Sequence, residues 1–267
     1  MSSRCDVGTP RNDKIEYMKH KLNIAWLYPD LMSTYGDRGN VIVLERRAMW
    51  RGIDATITHI TLETPLTKLK ECDLVFMGGA QDRQQKLAGQ DFLGNKGPVI
   101  KTMVEKNIPA LFVCAGYQFV GNYYRPYQGE DIPGAGIFDL ATIHPGDQAK
   151  RCIGNVIAEI VNIQSLNGLR IVGFENHGGR TVLGEKMKPL AKVITGNGNN
   201  SEDGYEGAVY KNSIGSYFHG PLLPKNPEIA DWLIARAIKV KYGVTPRLSK
   251  LSDDFAINAR IAMEERI

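Results

Sequence analysis

The sequence lacks any pair of closely spaced cysteines. Its four cysteines are widely scattered, with no CxxC motif, at Cys5, Cys72, Cys114 and Cys152. Zinc sites and thioredoxin-like redox sites usually carry such pairs, so their absence disfavours both classes of site. We therefore predict no metal site in this chain, and each cysteine has to be judged from its own surroundings.

Long apolar runs are also missing. No run approaches the roughly 18 residues that a membrane-spanning helix requires. The first twenty residues, MSSRCDVGTPRNDKIEYMKH, lack the apolar centre of a signal peptide. We therefore expect a cytoplasmic protein with a polar N-terminal extension over 1–20, and no disulfide framework in that reducing compartment.

The chain has little excess of charge of one sign. It carries 33 lysines and arginines against 29 acidic residues, for a net charge of +4. No dense basic cluster alternates with aromatic residues, as nucleic-acid binding would favour, so we expect no nucleic-acid partner. The hydrophobic fraction of 43% and the length of 267 residues are typical of a globular protein with a substantial core.

A P-loop for ATP is absent as well. The segment GQDFLGNKG (89–97) has two glycines at P-loop spacing, but Asn95 occupies the lysine position and Lys96 is out of register. A surface loop is the better interpretation. No nucleotide cofactor is therefore expected in this chain.

Strand-like and helix-like segments alternate in the first half of the sequence. This alternation predicts an α/β fold with a central, mostly parallel sheet and helices on both faces. Shorter strand-like segments in the second half, with a hairpin over 206–220, predict additional antiparallel strands. The predicted first-half strands are 23–29, 54–60, 72–79 and 109–114, and the predicted helices are 39–53, 98–107, 226–243 (with Asn226 as a candidate cap) and 252–267.

Neither an internal repeat nor a low-complexity linker divides the chain. One compact domain over 21–243 is the economical interpretation. The extension over 1–20 precedes this domain, and a C-terminal helical extension over 244–267 follows it.

The stretch CAGYQF (114–119) follows the apolar run PALFV. Ligands of open α/β sheets bind beyond the carboxyl ends of the strands, which is where Cys114 falls. Ala115 and Gly116 permit a tight turn into a helix, and a thiol at a helix N-terminus tends to ionise. From this stretch alone, a nucleophile and a buried core cysteine are equally good interpretations.

A cysteine nucleophile needs a base within hydrogen-bonding reach. His177 and His219 follow strand-like segments and sit beside glycines, at loop ends where catalytic groups are commonly held. His59 lies inside a strand-like run, and His144 lies in a loop with glycine and proline. The first two are therefore the better candidates, although each is also compatible with an ordinary turn residue.

Several motifs resemble one enzyme family. CAGYQ (114–118) is similar to the C-x-G-x-Q elbow of class I glutamine amidotransferases, and FMGGAQDRQ (76–84) resembles the loop of their oxyanion hole. GFENHGGRT (173–181) resembles the cobyric-acid-synthase-like branch. With STYGDRGN (33–40) and HGPLLPKNPEI (219–229), the pattern most resembles the GatD subunits of lipid II isoglutaminyl synthases. The resemblance covers about 23–242 and implies the flavodoxin-like fold of class I enzymes.

This resemblance implies hydrolysis of the glutamine side-chain amide and delivery of ammonia to a partner. Cys114 would be the nucleophile that forms a thioester, and His219 would be its base and would protonate the departing ammonia. The backbone N–H groups of Ala115 and of the loop with Gly79 and Ala80 would hold the oxyanion.

The resemblance also implies residues that bind the substrate. Arg151 would hold the α-carboxylate of glutamine, although a solvated arginine beside Lys150 is the simpler alternative. Gln118 matches the family's substrate-contacting glutamine. Asn176 and His177 would line the same pocket.

The sequence departs from most class I enzymes beside the predicted base. A glutamate usually stands two residues after the histidine, whereas this chain has Pro221, as in the cobyric-acid-synthase-like branch. Either Cys114 and His219 suffice for catalysis, or another group orients His219. Glu175 is a candidate for that group by its chemistry alone.

The resemblance further implies a heterodimer with a MurT-like Mur ligase. That partner would bind ATP and magnesium and activate the α-carboxyl of D-glutamate in the lipid II stem peptide, and ammonia would convert it to D-isoglutamine. The predicted C-terminal helix is a candidate contact for the partner, and docking on its own core is the alternative.

Other functions are compatible with parts of this pattern. They are an amidotransferase for another acceptor such as a corrinoid, a non-catalytic binding subunit, and a DJ-1-like or peptidase-like use of the cysteine. The presence of both Cys114 and His219 argues against a non-catalytic subunit. A DJ-1-like or peptidase-like protein would not need Gln118 or Arg151.

Overall fold

A computed structural model describes residues 20–266, so all but the last residue of the predicted N-terminal extension lies outside the described residues. The strands, in chain order, are β1 (Lys21–Leu27), β2 (Asp54–Ile60), β3 (Leu74–Met77), β4 (Ala110–Val113), β5 (Tyr123–Arg125), β6 (Ile132–Pro133), β7 (Leu140–Ile143), β8 (Cys152–Ile160), β9 (Arg170–His177), β10 (Arg180–Leu183), β11 (Ala191–Thr195), β12 (Tyr205–Glu206), β13 (Ala208–Tyr210) and β14 (Ser213–Ser216). The helices are α1 (Arg38–Met49), α2 (Leu66–Lys70), α3 (Asp82–Asp91), α4 (Gly97–Glu105), α5 (Ala115–Phe119), α6 (Leu222–Lys225), α7 (Pro227–Tyr242) and α8 (Asp254–Glu264), with a 3-10 turn at Thr34–Gly36 and a π-helical turn at Phe92–Lys96.

The central sheet has six strands in the order β13-β14-β4-β3-β1-β2. Every neighbouring pair is parallel except the β13–β14 hairpin. All residues of β3 (LVFM) and β4 (ALFV) are buried, because both faces of the sheet are covered. Strands buried on both faces are apolar throughout, which explains their continuous apolar runs. The predicted parallel sheet and hairpin are thus confirmed.

The hydrophobic core lies on both faces of this sheet. On one face α1 and α7 contribute buried side chains such as Leu44 and Leu233. On the other face the segment from α3 to α4 contributes Phe92 and Met103. The predicted covering of both faces by helices is therefore also confirmed.

Two smaller sheets hold the predicted additional strands. Their orders are β10-β7-β5-β6 and β12-β11-β8-β9, and all their neighbouring pairs are antiparallel except β5–β7. The end of β9 is joined to the chain after β14, because Phe174 and His219 exchange backbone hydrogen bonds of 3.1 and 2.7 Å. This link brings the end of β9 to the edge of the central sheet at which β14 ends.

The segment 89–97 is helical, so its interpretation as a surface loop is wrong. It runs from the end of α3 through the π-helical turn into α4. The Lys96 ammonium is buried, donates to the Asp91 carboxylate at 2.5 Å and donates to the Leu62 carbonyl at 3.1 Å. Burial of Phe92 and this internal ion pair hold the segment against the core.

Two local predictions differ from the structure in detail. Asn226 precedes α7 but does not cap it with its side chain, which instead bonds the backbone N–H and carbonyl of Val172 at 3.0 and 2.8 Å. The helix after Cys114 has only five residues and ends at Phe119. Gly121 then packs so closely on Leu140 that a Cβ would lie 2.4 Å from a methyl group, and the chain turns into β5.

The helix α8 docks on the rest of the chain. Arg260 is its one buried residue, and its guanidinium donates to both carboxylate oxygens of Glu228 in α7 at 2.9 and 3.0 Å.

The division of the chain at 243/244 stays a prediction. Among the described helices, none combines the length and the apolar character needed to cross a membrane.

We expect Arg47→Met to lower the free energy of unfolding by about 2 kcal/mol, because the half-buried carboxylates of Asp231 and Asp253 lose their hydrogen bonds to a charged group. The Arg47 side chain is 5% exposed and bonds the carboxylates of Asp231 in α7 and Asp253 before α8. Urea titration measures the change. Arg46→Met is the matched control and should change stability little, since Arg46 is exposed. Equal losses in the two variants would contradict this role of Arg47.

Candidate active site

A cavity of about 990 Å³ lies beyond the carboxyl ends of β1, β3, β4 and β14. This is the edge of an open α/β sheet at which ligands bind. The structure brings every predicted site residue to this cavity: Gly79, Ala80, Cys114, Ala115, Gln118, Arg151, Asn176, His177 and His219 all line it. Residues that are far apart in the chain are therefore assembled as the sequence predicts.

Cys114 occupies a strained turn directly after β4. Its φ of 53° is left-handed, which is unfavourable for a residue with a Cβ and must be imposed by its surroundings. The Cys114 N–H donates to the Ser216 carbonyl at 2.9 Å, and the Gly116 N–H donates to the Gly78 carbonyl at 3.2 Å. A Cβ on Gly116 would lie 2.7 Å from the Met77 carbonyl, so only glycine permits this turn. The half-buried thiol lines the cavity, which disfavours a purely structural cysteine.

His219 lies beside Cys114 with its ring buried. Its Nδ1 is 3.4 Å from Oδ1 of Asp37. Burial acts to lower the pKa of His219, but the negative charge of the Cys114 thiolate and the hydrogen bond with Asp37 outweigh it and raise the pKa to about 10. At neutral pH the His219 ring is therefore an imidazolium that lies beside the Cys114 side chain.

Asp37 is a site residue that the sequence analysis missed. Its carboxylate is fully buried at the start of α1, and Oδ2 accepts a hydrogen bond of 2.6 Å from the Gly79 N–H. One side chain thus holds both the histidine and the glycine loop after β3. Its only signal in the sequence is its place in STYGDRGN, a short stretch after β1.

The interpretation of Glu175 as the group that orients His219 is wrong. The Glu175 carboxylate accepts hydrogen bonds of 2.8 and 2.9 Å from the backbone N–H groups of Asn197 and Gly198. The nearest histidine nitrogen is Nε2 of His177, at 3.9 Å. Side chains alternate between the two sides of β9, and the Glu175 side chain lies on the side that faces the turn before β12.

The loop after β3 can offer a backbone donor to the cavity. The Gly79 N–H is occupied by Asp37, so the predicted oxyanion donor in this loop is not Gly79. The Ala80 N–H has no hydrogen-bond partner among residues 20–266. Ala115 is the first residue of α5, so its N–H has no acceptor within the helix. These two N–H groups are the available pair.

Gly79 has a steric role instead. A Cβ at this position would lie 2.9 Å from Cε1 of His219 and 3.3 Å from Cβ of Cys114. The absence of a side chain allows the loop to approach both residues closely.

Arg151 and Asn176 form the outer part of the cavity. The Arg151 Nη2 and Nε donate to Oδ1 of Asn176 at 3.0 and 3.2 Å. The Asn176 amide in turn donates to the Tyr35 hydroxyl at 2.9 Å, and the Tyr35 ring meets the edge of the His219 ring at a centroid distance of 5.0 Å. Arg151 is therefore tied to the site, and it is not an isolated surface arginine.

Gln118 and His177 support the inner wall. The Gln118 amide donates to the Tyr217 hydroxyl at 3.2 Å and accepts from the Gln85 amide at 3.3 Å. The His177 ring stacks on Tyr217 at 3.7 Å, and its Nδ1 is 2.8 Å from the Gly179 carbonyl. Both side chains are thus held in place, and their contact with a substrate stays a prediction.

Further residues at the cavity, among them Thr34, Tyr35 and His144, were not predicted as site residues from the sequence. Tyr35 and Thr34 come from the turn before α1, and His144 comes from the loop after β7. His144 lies near Arg151, because a Cβ on Gly178 would lie 3.6 and 3.2 Å from their side chains. Thr34 and Tyr35 lie in the motif STYGDRGN, but the motif by itself gives them no role, and only the packing of separate loops brings the three residues together.

Known proteins resemble this chain in sequence and in fold. Residues 23–227 match the family of CobB/CobQ-like glutamine amidotransferase domains. The chain is 38% identical to the GatD subunit of the glutamine-hydrolysing lipid II isoglutaminyl synthase of Staphylococcus aureus (strain N315), over 92% of this chain and 96% of that protein. It is 37% identical to the corresponding subunit of Streptococcus pneumoniae (strain ATCC BAA-255 / R6), over 92% of each.

A solved structure supports the fold. A crystal structure of a glutamine amidotransferase superposes with a TM-score of 0.55 at 14% identity, covering 80% of this chain and 98% of the other. The predicted fold class and family resemblance are confirmed by these findings.

Proposed function

Because this chain belongs to the CobB/CobQ-like glutamine amidotransferase family, and in particular to the family of GatD subunits, we propose that it hydrolyses L-glutamine and supplies ammonia for the amidation of lipid II. The observation that carries the catalytic part is that the Cys114 side chain and the His219 ring line one cavity beside the free backbone N–H groups of Ala80 and Ala115. Nucleophile, proton donor and oxyanion donors are the groups that amide hydrolysis through a thioester requires.

The reaction follows from the positions of these groups. The Cys114 thiolate attacks the side-chain amide carbon, and the N–H groups of Ala80 and Ala115 receive the developing oxyanion. The His219 imidazolium gives its proton to the departing nitrogen, so ammonia leaves and a thioester remains. Neutral His219 then takes a proton from water as the water attacks the thioester, and glutamate is released with the thiolate restored.

The outer part of the cavity suits the other end of glutamine. Arg151 donates to Asn176 through Nε and Nη2, which leaves Nη1 for the substrate α-carboxylate. Gln118, Asn176 and His177 line the same cavity.

We expect Arg151→Ala to raise KM for glutamine about 30-fold, with a smaller change in kcat. A hydrogen bond to a charged group contributes about 2 kcal/mol, and this contact is made equally in the ground state and the transition state. Steady-state glutamate release measures both constants. Lys150→Ala is the matched control, because Lys150 is the neighbouring cation and does not line the cavity. An equal rise in KM in the two variants would argue for a general charge effect.

The relatives are named as subunits, which supports a complex with a partner chain. We propose that the partner is a MurT-like Mur ligase in the cytoplasm, where ATP and magnesium bind the ligase and activate the carboxyl group that ammonia attacks.

The proposal is tested by glutamate release from L-glutamine, for the chain alone and co-expressed with the Mur-type ligase of the same organism. Hydrolysis in either preparation supports the amidase, and hydrolysis in the complex alone assigns its gating to the partner. Transfer of ¹⁵N from amide-labelled glutamine to lipid II with ATP and magnesium tests the acceptor. Hydrolysis without transfer of ¹⁵N would contradict lipid II as the acceptor. Absence of both hydrolysis and transfer would contradict the proposed glutaminase activity.

A further inference from the structure

Two consecutive peptide units follow β3, and the first is held at both ends. The Gly78 carbonyl accepts from the Gly116 N–H at 3.2 Å, and the Gly79 N–H donates to the Asp37 carboxylate at 2.6 Å. Both partners belong to the site described above. This peptide unit therefore has no group left for a substrate.

The second peptide unit, between Gly79 and Ala80, is held at one end only. Its carbonyl accepts two hydrogen bonds from Thr34, of 3.3 Å from the backbone N–H and 3.0 Å from the side-chain hydroxyl. In a trans peptide the N–H points away from the carbonyl. The Ala80 N–H is therefore directed away from Thr34, and it has no partner in the described part of the chain.

This peptide unit lies against the nucleophile. An added Cβ on Gly79 would lie 3.3 Å from Cβ of Cys114, and Ala80 itself lines the cavity. Rotation of the unit would present its carbonyl oxygen to the reacting centre instead of its N–H. Glycine offers little resistance to such a rotation, because it tolerates backbone conformations that other residues avoid.

We propose that Thr34 is a positioning residue that holds the Gly79–Ala80 peptide so that the Ala80 N–H faces the reacting carbonyl of the substrate. The inference rests on the proposed glutaminase reaction. Thr34 acts through the peptide unit, and its hydroxyl is bonded to the Gly79 carbonyl at 3.0 Å. The energetic benefit arises only when negative charge develops on the substrate oxygen.

Thr34→Val removes the hydroxyl and retains the branched shape. We expect kcat for glutamine to fall about tenfold, while KM changes less than twofold, because the lost stabilisation belongs to the transition state. The loss is partial, since the Thr34 N–H still holds the same carbonyl. Thr34→Ser should recover most of the activity. Thr102→Val is the matched control and should leave kcat unchanged, because the Thr102 hydroxyl bonds the Pro98 carbonyl within α4 at 3.0 Å.

Alkylation of Cys114 by iodoacetamide provides a second measurement. The thiolate displaces iodide from carbon, and no oxyanion forms, so Thr34→Val should alkylate at the wild-type rate. Turnover and alkylation are measured on the same preparation, with the partner ligase present.

Three outcomes overturn the positioning role: an unchanged kcat in Thr34→Val, a rise in KM without a fall in kcat, or an alkylation rate that falls with kcat. The turnover of the wild type shows whether the positioning role of Thr34 alone has failed or the proposed glutaminase function as well. An inactive wild type overturns the amidase and this inference together. An active wild type with an equally active Thr34→Val variant overturns this inference alone.

Discussion

Cys114→Ala is expected to lower kcat for glutamine hydrolysis by roughly a thousandfold or more, because no other group in the cavity can form the thioester. The hydrogen bonds that impose the left-handed turn are made by backbone groups, so they remain in the alanine variant. We therefore expect the variant to fold and to bind glutamine. Glutamate release measures the loss, and circular dichroism with urea titration measures the fold.

Cys72→Ala is the matched control for this variant. Cys72 is also a free cysteine, but it is buried after α2, bonds the Lys68 carbonyl at 3.3 Å and does not line the cavity. The control should lose some stability and retain its turnover. Residual turnover above one-tenth of wild type in Cys114→Ala, with normal turnover in the control, would exclude the thioester mechanism.

Asp37→Asn is expected to lower kcat at least a hundredfold, roughly. The amide keeps the shape of the carboxylate and can still accept from the Gly79 N–H, but it carries no charge to stabilise the imidazolium. Loss of an orienting carboxylate beside a catalytic histidine has large effects in serine proteases, where it disturbs the tautomer of the ring. Both His219 and the oxyanion loop depend on Asp37 here.

The same substitution should lower the pKa of His219, because Asp37 is one of the causes that raise it. A raised folded-state pKa stabilises the fold fully below the unfolded value of about 6.5, and this stability is lost as the pH rises through about 10. In Asp37→Asn, the stability that protonated His219 contributes should therefore be lost at a lower pH than in the wild type. NMR titration of the His219 ring, together with urea titration at several pH values, tests this sign.

Glu175→Gln is the control for the pH measurements. It removes a buried carboxylate from a cavity-lining strand, and the bonds to Asn197 and Gly198 should weaken. The midpoint of the His219 titration should stay where it is in the wild type. A shift as large as in Asp37→Asn would mean that overall charge in the cavity, and not contact with Asp37, sets this pKa.

Elements whose conformation is set by neighbouring residues can be predicted from the sequence, whereas elements set by distant contacts cannot. The strands β3 and β4 are continuous apolar runs, and the β13–β14 hairpin has a turn at its tip, so these elements were predicted correctly. The segment 89–97 was misjudged because its polar residues suggest a surface loop. Its helical conformation depends on Lys96 finding Asp91 and Leu62 in the interior.

The sequence by itself determined the family, the fold class and part of the set of residues that gather at the cavity, because the motifs around Cys114 and His219 are short and follow recognisable strands. Only the tertiary structure decided which acid faces His219 and which N–H of the glycine loop is free. Asp37 is 182 residues from His219 in the chain, and the order of β1, β3, β4 and β14 in the sheet places their loops side by side. Such contacts arise from the packing of separate strands, and no periodicity or spacing along the chain encodes them.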